Sequence, residues 1–147
     1  MSKVLSVFVP SNRYDRKGKA THVDGMNEII EANRAHRNKG ARLQAENIQH
    51  VAEFAMAAMS RQHFKPLTCK AVVYVCFVEV NRRRDVSNIY GGLKWVLDGL
   101  SRPRGKKLIG AGAIFDDSPQ WVEVIPDVAI DPKRPGVEIT VRPLMEV

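Results

Sequence analysis

Two acidic points and a lysine are the residues of this chain whose types and spacing suit work on a phosphodiester. Asp85 follows three arginines, Arg82, Arg83 and Arg84, and opens the segment Asp85-Val86-Ser87-Asn88. Asp116 and Asp117 form an adjacent pair after a later apolar run, and Lys94 stands between the two acidic points. Cutting a phosphodiester requires an activated water, stabilisation of an anionic transition state and help for the departing oxygen. Mg²⁺ held by carboxylates beside the phosphate serves all three. Because Mg²⁺ keeps several of its waters, two or three Asp or Glu side chains from different segments suffice. A lysine nearby stabilises charge on the phosphate, a helix N-terminus adds N–H groups that favour it, and Gly91 leaves room for a backbone to approach. Asp85, Asp117 and Lys94 are therefore the catalytic candidates, with Asp116 beside them as a further metal ligand.

The elements that must position these residues are read from periodicity. Residues 70–80 are β-branched and aromatic on both alternating faces, which predicts a central strand. Ile89, Leu93, Val96, Leu97 and Leu100 form the apolar stripe of a helix over about 88–100. Ser87, Gly91, Lys94 and Asp98 fall on another face of that helix, with Asp85 at its N-terminal end. Upstream, residues 3–10 read as a strand and residues 11–25 as a loop or hairpin tip. Asp24 is placed to cap a helix running from Met26 to about Asn38. Gly40 marks a break before a second helix over 41–61, whose Ile48, Val51, Ala55, Ala58 and Met59 read as a core stripe. Downstream, a strand over 108–115 is weakened by Gly110 and Gly112. A strand over 120–130 is interrupted at Pro126, and residues 136–142 form the last strand. The order predicts an α/β (α+β) fold, a mixed sheet packed against helices in a single domain.

Composition agrees with one globular domain: 147 residues, 44% hydrophobic and 27% charged. No apolar run approaches the roughly 20 residues that span a bilayer, and the N-terminal apolar stretch is too short for a signal peptide. A cytoplasmic protein is expected. Cys69 and Cys76 lie at the ends of one predicted strand, more than about 20 Å apart at roughly 3.3 Å per residue, too far to bridge. The four histidines are scattered without zinc spacing. The net charge of +7 favours a polyanionic partner, nucleic acid being the commonest. Basic residues cluster at 34–42 (Arg34, Arg37, Lys39), at 82–84 and at 102–107 (Arg102, Arg104, Lys106, Lys107).

Each piece also has an ordinary reading. Asp85 or Ser87 suits a helix cap, Asp116-Asp117-Ser118-Pro119 is a turn signature, and Lys94 with Asp98 makes a surface ion pair worth about 0.3–0.5 kcal/mol. The three arginines also suit a solvated strand end.

The segments RRRDVSN, LKWVLDGL, IFDDS and VAIDPKRPGVEITV together resemble the RusA family of Holliday-junction resolvases, often encoded by phages and prophages. GMNEIIEANRAHRNKGARLQ resembles the N-terminal helical segment of the family's phage-type branch, so the likeness covers most of the chain from about Gly25. The resemblance implies a RusA-like fold and a Mg²⁺-dependent endodeoxyribonuclease, with Mn²⁺ as a substitute ion. It also implies a homodimer that nicks two strands symmetrically across a four-way junction of double-stranded DNA; two equivalent sites suit two equivalent strands. Among the residues themselves, only the alanine- and methionine-rich helix over 41–61 speaks for a dimer. The family's metal ligands are both aspartates of a D-x-D-N motif and the second of the later pair. Asp85 matches the first and Asp117 the last, and Lys94, four residues before Asp98, matches a family lysine. The second aspartate is replaced by Ser87, which carries no charge. Either another carboxylate compensates (Glu28, with Asp116 and Asp98 behind it), or metal binding is weak, or the chain is a non-cutting junction-binding relative. The expected DNA contacts are Arg82, Arg83, Arg84, Asn88, Lys94, Arg34, Arg37, Lys39 and the basic loop with Arg102, Arg104, Lys106 and Lys107.

Overall fold

The computed structural model describes residues 3–103 and 110–144. In chain order the elements are β1 (Leu5–Pro10), α1 (Met26–Ala35), α2 (Arg37–Gln62), β2 (Ala71–Glu79), α3 (Val86–Tyr90), α4 (Leu93–Leu100), β3 (Val122–Ile130) and β4 (Gly136–Pro143). The strands form one mixed sheet in the order β1-β4-β2-β3. β4 runs antiparallel to β1 and to β2, while β3 runs parallel to β2. The mixed α/β fold and the interior place of β2 are as the sequence predicts.

One face of the sheet carries the core. Val73, Val75 and Phe77 of β2, with Leu5, Val7, Val9, Val137, Ile139 and Val141 of β1 and β4, bury against Ile48, Val51, Ala55 and Ala58 of α2 and Trp95, Val96 and Leu100 of α4. The opposite face, with Ser6, Tyr74, Ile125 and Glu138, is half-buried to exposed. The alanine stripe of α2 is thus enclosed in its own chain's core, with Ala52, Ala55 and Ala58 all at 0% exposure. The alanines of α2 are therefore core residues, while Met56 and Phe54 of the same helix stay exposed. Close packing sets the α2–α4 contact: a Cβ on Gly99 would lie 2.7 Å from Val51.

Four local predictions differ. The helix expected over about 88–100 begins at Val86 and is split at Gly91 and Gly92 into α3 and α4. The break between the first two helices falls at His36, not Gly40. His36 is extended, and its Nδ1 accepts from the Asn38 N–H at 3.1 Å, so it ends α1 and caps α2. Gly40 lies inside α2, where any Cβ would run into Asn33. β3 passes through Pro126 without interruption, because β3 is an edge strand and the missing N–H faces away from β2. Of the strand predicted over 108–115, residues 108 and 109 lie outside the described residues. The rest is irregular apart from a single bridge between Ser101 and Ile114; Gly112, at φ +79°, turns the chain there.

Candidate active site

Construction of the site begins at the end of β2, where Glu79 is 1% exposed. A carboxylate so deep in the fold needs a countercharge, and Arg84 supplies it. Its Nη1 lies 3.3 Å from Glu79 Oε2 and donates to the Val23 carbonyl at 2.9 Å, while Nη2 donates to Glu28 Oε1 at 3.0 Å. Its Nε has no hydrogen-bond partner among the described residues. Burial pushes the Glu79 carboxyl above its ordinary range, Arg84 and then His22 pull it down, and Glu28 pushes it back up. The arginine closes the corner between β2 and α3 over the start of α1. Its side chain is only 9% exposed, so it is a structural residue and not the phosphate contact expected of it. Arg82 and Arg83 are exposed.

The same corner accounts for two more expected site residues. Glu28 accepts from the Gly25 N–H at 2.8 Å as well as from Arg84, so its Oε1 is already taken by a cap and an ion pair. A cation at Glu28 would have to compete with a guanidinium, which argues against the ligand role. Asn88 turns inward, its Oδ1 accepting from the Asn27 N–H at 2.7 Å in the first turn of α1. Gly91 packs against the chain's own backbone at Met26, not against an incoming one; a Cβ there would sit 2.6 Å from the Met26 nitrogen. Asp24 is not the cap of α1, which is Gly25. It is 5% exposed and accepts from Arg13 at 2.8 Å and from Asn47 at 2.9 Å, and its carbonyl accepts from the Trp95 indole at 3.2 Å.

Asp85 occupies the N-cap position of α3, with extended backbone, yet its carboxylate makes no capping bond. It is exposed, as is Ser87, and neither side chain has a hydrogen bond among the described residues. The ordinary reading of Asp85 as a cap is therefore not realised.

The other acidic point is built by the return of the chain along α4. Ala111 N–H donates to the Gly99 carbonyl at 2.8 Å, Ile114 N–H to Leu100 at 3.2 Å and Arg102 N–H to Ile114 at 3.1 Å, with Ala113 and Ile114 fully buried. This brings Asp117 near Asp98, close enough for its charge to act on the Asp98 carboxyl. Lys94, one turn back on α4 and 67% exposed, holds its ammonium 3.5 Å from Asp98 Oδ2. Burial pushes the Asp98 carboxyl above the ordinary aspartate range; Lys94 opposes that rise and Asp117 adds to it. Asp116 Oδ1 accepts from the Asp117 N–H at 2.8 Å, and Ser118 starts the turn into β3. The turn reading of this segment is thus realised. The exposed Arg102 lies 3.7 Å above the Phe115 ring at the edge of this group.

Asp85 stands apart from that group. The parallel register pairs Ala71 with Val122, so the turn carrying Asp117 lies off the start of β2, whereas Asp85 follows its end. From Asp85 to Asp98 run α3, two glycines in right-handed helical conformation and α4, about 20 Å of helix at about 1.5 Å per residue. Sequence reasoning joined Asp85 to Asp117; the fold joins Asp98 to Asp117. Among the described residues no group of three or more His, Cys, Asp or Glu side chains is placed to hold a metal ion.

Of the remaining expected contacts, Arg34, Arg37 and Lys39 are exposed around the α1–α2 break. Arg104, Lys106 and Lys107 lie outside the described residues. No helix among the described residues is long and apolar enough to cross a membrane. Comparison with family models, with curated proteins and with solved structures returned no match to this chain.

Proposed function

We propose that this chain is a divalent-metal-dependent, structure-selective endodeoxyribonuclease that nicks branched DNA, the four-way junction being the substrate its motifs suggest. The observation that carries the reading is the convergence of Asp98, Asp117 and Lys94 from two segments of the chain. The donors suit Mg²⁺ or Mn²⁺: both are hard oxygen ligands, and one or two carboxylates with substrate phosphate oxygens are enough. Asp98, raised by burial and by its acidic neighbour, is a group that an added cation would favour in its charged form. When bound, the metal would supply Lewis-acid stabilisation and a more acidic water.

The protein's own contributions follow from where its side chains stand. Asp98 and Asp117 would hold the ion. Lys94, largely in solvent but tethered to Asp98, would lie against a phosphate oxygen and stabilise its charge. Arg102 beside the same group, and Arg82 and Arg83 at the far end of the helix pair, would grip phosphates without reading bases. The distance between these two basic points suits a ligand that extends along α3 and α4. Two copies acting on two strands would match the symmetry of a junction.

A second reading, a junction-binding protein that does not cut, is favoured by Ser87, which is exposed and carries no charge where the motif has an aspartate. The test is to incubate the purified protein with labelled four-way junctions with and without Mg²⁺. Nicking that needs the metal and disappears in Asp117→Asn, with junction binding retained, supports the enzyme. Binding without product supports the second reading, and a gain of nicking in Ser87→Asp would strengthen it further.

A further inference from the structure

We infer that the hairpin of residues 13–21 is a nucleic-acid finger, with Tyr14 as a stacking platform and Arg16, Lys17 and Lys19 as phosphate contacts. The inference rests on DNA being the substrate. It adds a contact surface that the motifs around Asp85 and Asp117 do not contain.

The finger is a built structure. Thr21 N–H donates to the Arg13 carbonyl at 2.8 Å and Asp15 N–H to the Lys19 carbonyl at 2.9 Å, with a bridge between Tyr14 and Ala20. Asp15 Oδ1 accepts from the N–H groups of both Lys17 and Lys19 at 2.9 Å, and Gly18 takes the left-handed conformation at φ +80° that the turn requires. At the base, the Arg13 guanidinium meets the Asp24 carboxylate at 2.8, 3.1 and 3.2 Å, and Asp24 is locked to Asn47 and Trp95. This charge pairing fixes the root and leaves the tip outside the core.

What the tip presents is unusual for a surface turn. Tyr14 is 64% exposed, more than any other large apolar or aromatic side chain among the described residues. Arg16, Lys17 and Lys19 are exposed and make no ion pair among the described residues; the one acid, Asp15, is held by the turn. Free cations around a bare ring match the pairing of an anionic backbone with aromatic base faces. In a continuous duplex the bases are already stacked on each other. An exposed ring gains most where a base has lost a neighbour, as at a branch point.

The finger is rooted at the end of the sheet that carries Arg82 and Arg83, away from the Asp98–Asp117 end. Pro10, at its root, pairs with Gly136, which pairs with Val78 near the end of β2. Arg84 Nη1 donates to Val23 at the finger's return. The finger and the exposed Arg82 and Arg83 therefore flank one end of the sheet.

The test compares binding to a four-way junction and to a linear duplex of the same length, by fluorescence anisotropy between about 50 and 200 mM salt. The triple variant Arg16→Gln, Lys17→Gln, Lys19→Gln should flatten the dependence of log K on log salt by about two to three on both DNAs, near 0.9 per contact. Tyr14→Ala should weaken junction binding roughly tenfold and leave duplex binding unchanged, with Tyr14→Phe behaving as wild type. Thermal melts of the variants should match wild type, since the substituted side chains are exposed. A wild-type protein that binds junctions while these variants keep its salt slope and its junction preference overturns the finger alone. A wild-type protein that binds neither DNA overturns the nuclease reading and the finger with it.

Discussion

Asp117 lies near enough to Asp98 for its charge to help raise the Asp98 carboxyl, which burial already holds above the ordinary aspartate range. Two acids kept together in a partly buried site are a cost to the fold unless something between them is positive. Lys94 meets part of that need from 3.5 Å.

The pH dependence of stability follows. An unfolded aspartate titrates near 3.8, and Asp98 in the fold titrates higher. Between the two values the folded state binds more protons, so the favourable contribution of Asp98 is complete below its unfolded pKa and is lost as pH rises through the folded one. Asp98→Asn abolishes that loss. In urea titrations the variant should gain stability relative to wild type as pH rises from about 3.5 to about 7, while metal-dependent nicking falls. A variant whose stability relative to wild type is the same at both pH values would show that the pair is not strained.

Arg84 and Arg83 should behave in opposite ways. Removing Arg84 leaves the buried Glu79 without its partner, so Arg84→Ala should cost about 3 kcal/mol or more in chemical denaturation. Arg83→Ala should stay within about 0.5 kcal/mol yet flatten the salt dependence of DNA binding by about one contact. Equal stabilities for the two variants would contradict the buried ion pair.

Gly91→Ala separates two roles for one glycine. In an open helix face alanine would stabilise by up to about 1 kcal/mol. Here the added Cβ would meet Met26 at 2.6 to 2.8 Å, so the substitution should instead destabilise by about 1–3 kcal/mol. A stabilised variant would mean that α3 and the start of α1 are not in contact.

The strands and helices were legible because their signals are local. The alternating apolar run of β2 and the stripe through Ile89, Val96 and Leu100 each lie within one segment and announce period and face together. The alanines of α2 were likewise readable as core. The positions of the breaks were less so: His36 ends a helix through its own ring nitrogen, a contact that any glycine-based reading passes over. The site was legible only in part. The motif singles out Lys94 and Asp117 but ranks Asp98 behind Glu28, since nothing in the sequence tells which acid the returning chain will meet. Arg84, Asn88 and Glu28 drew functional readings by sitting beside the motif. Their partners, Glu79 and Val23, Asn27, and Arg84 with Gly25, were not visible as partners in the sequence. A basic residue next to a strand end looks the same whether it points at a phosphate or at a buried carboxylate.

The pairing of Asp98 with Asp117 as the cation site is tested most directly by adding Mn²⁺ to the isotopically labelled protein and following paramagnetic broadening of its backbone amides. Broadening should centre on residues 94–98 and 116–118 and vanish in Asp117→Asn. Broadening centred on Asp85 and Ser87 with the 116–118 amides left sharp, or no site-specific broadening at all, would contradict the account.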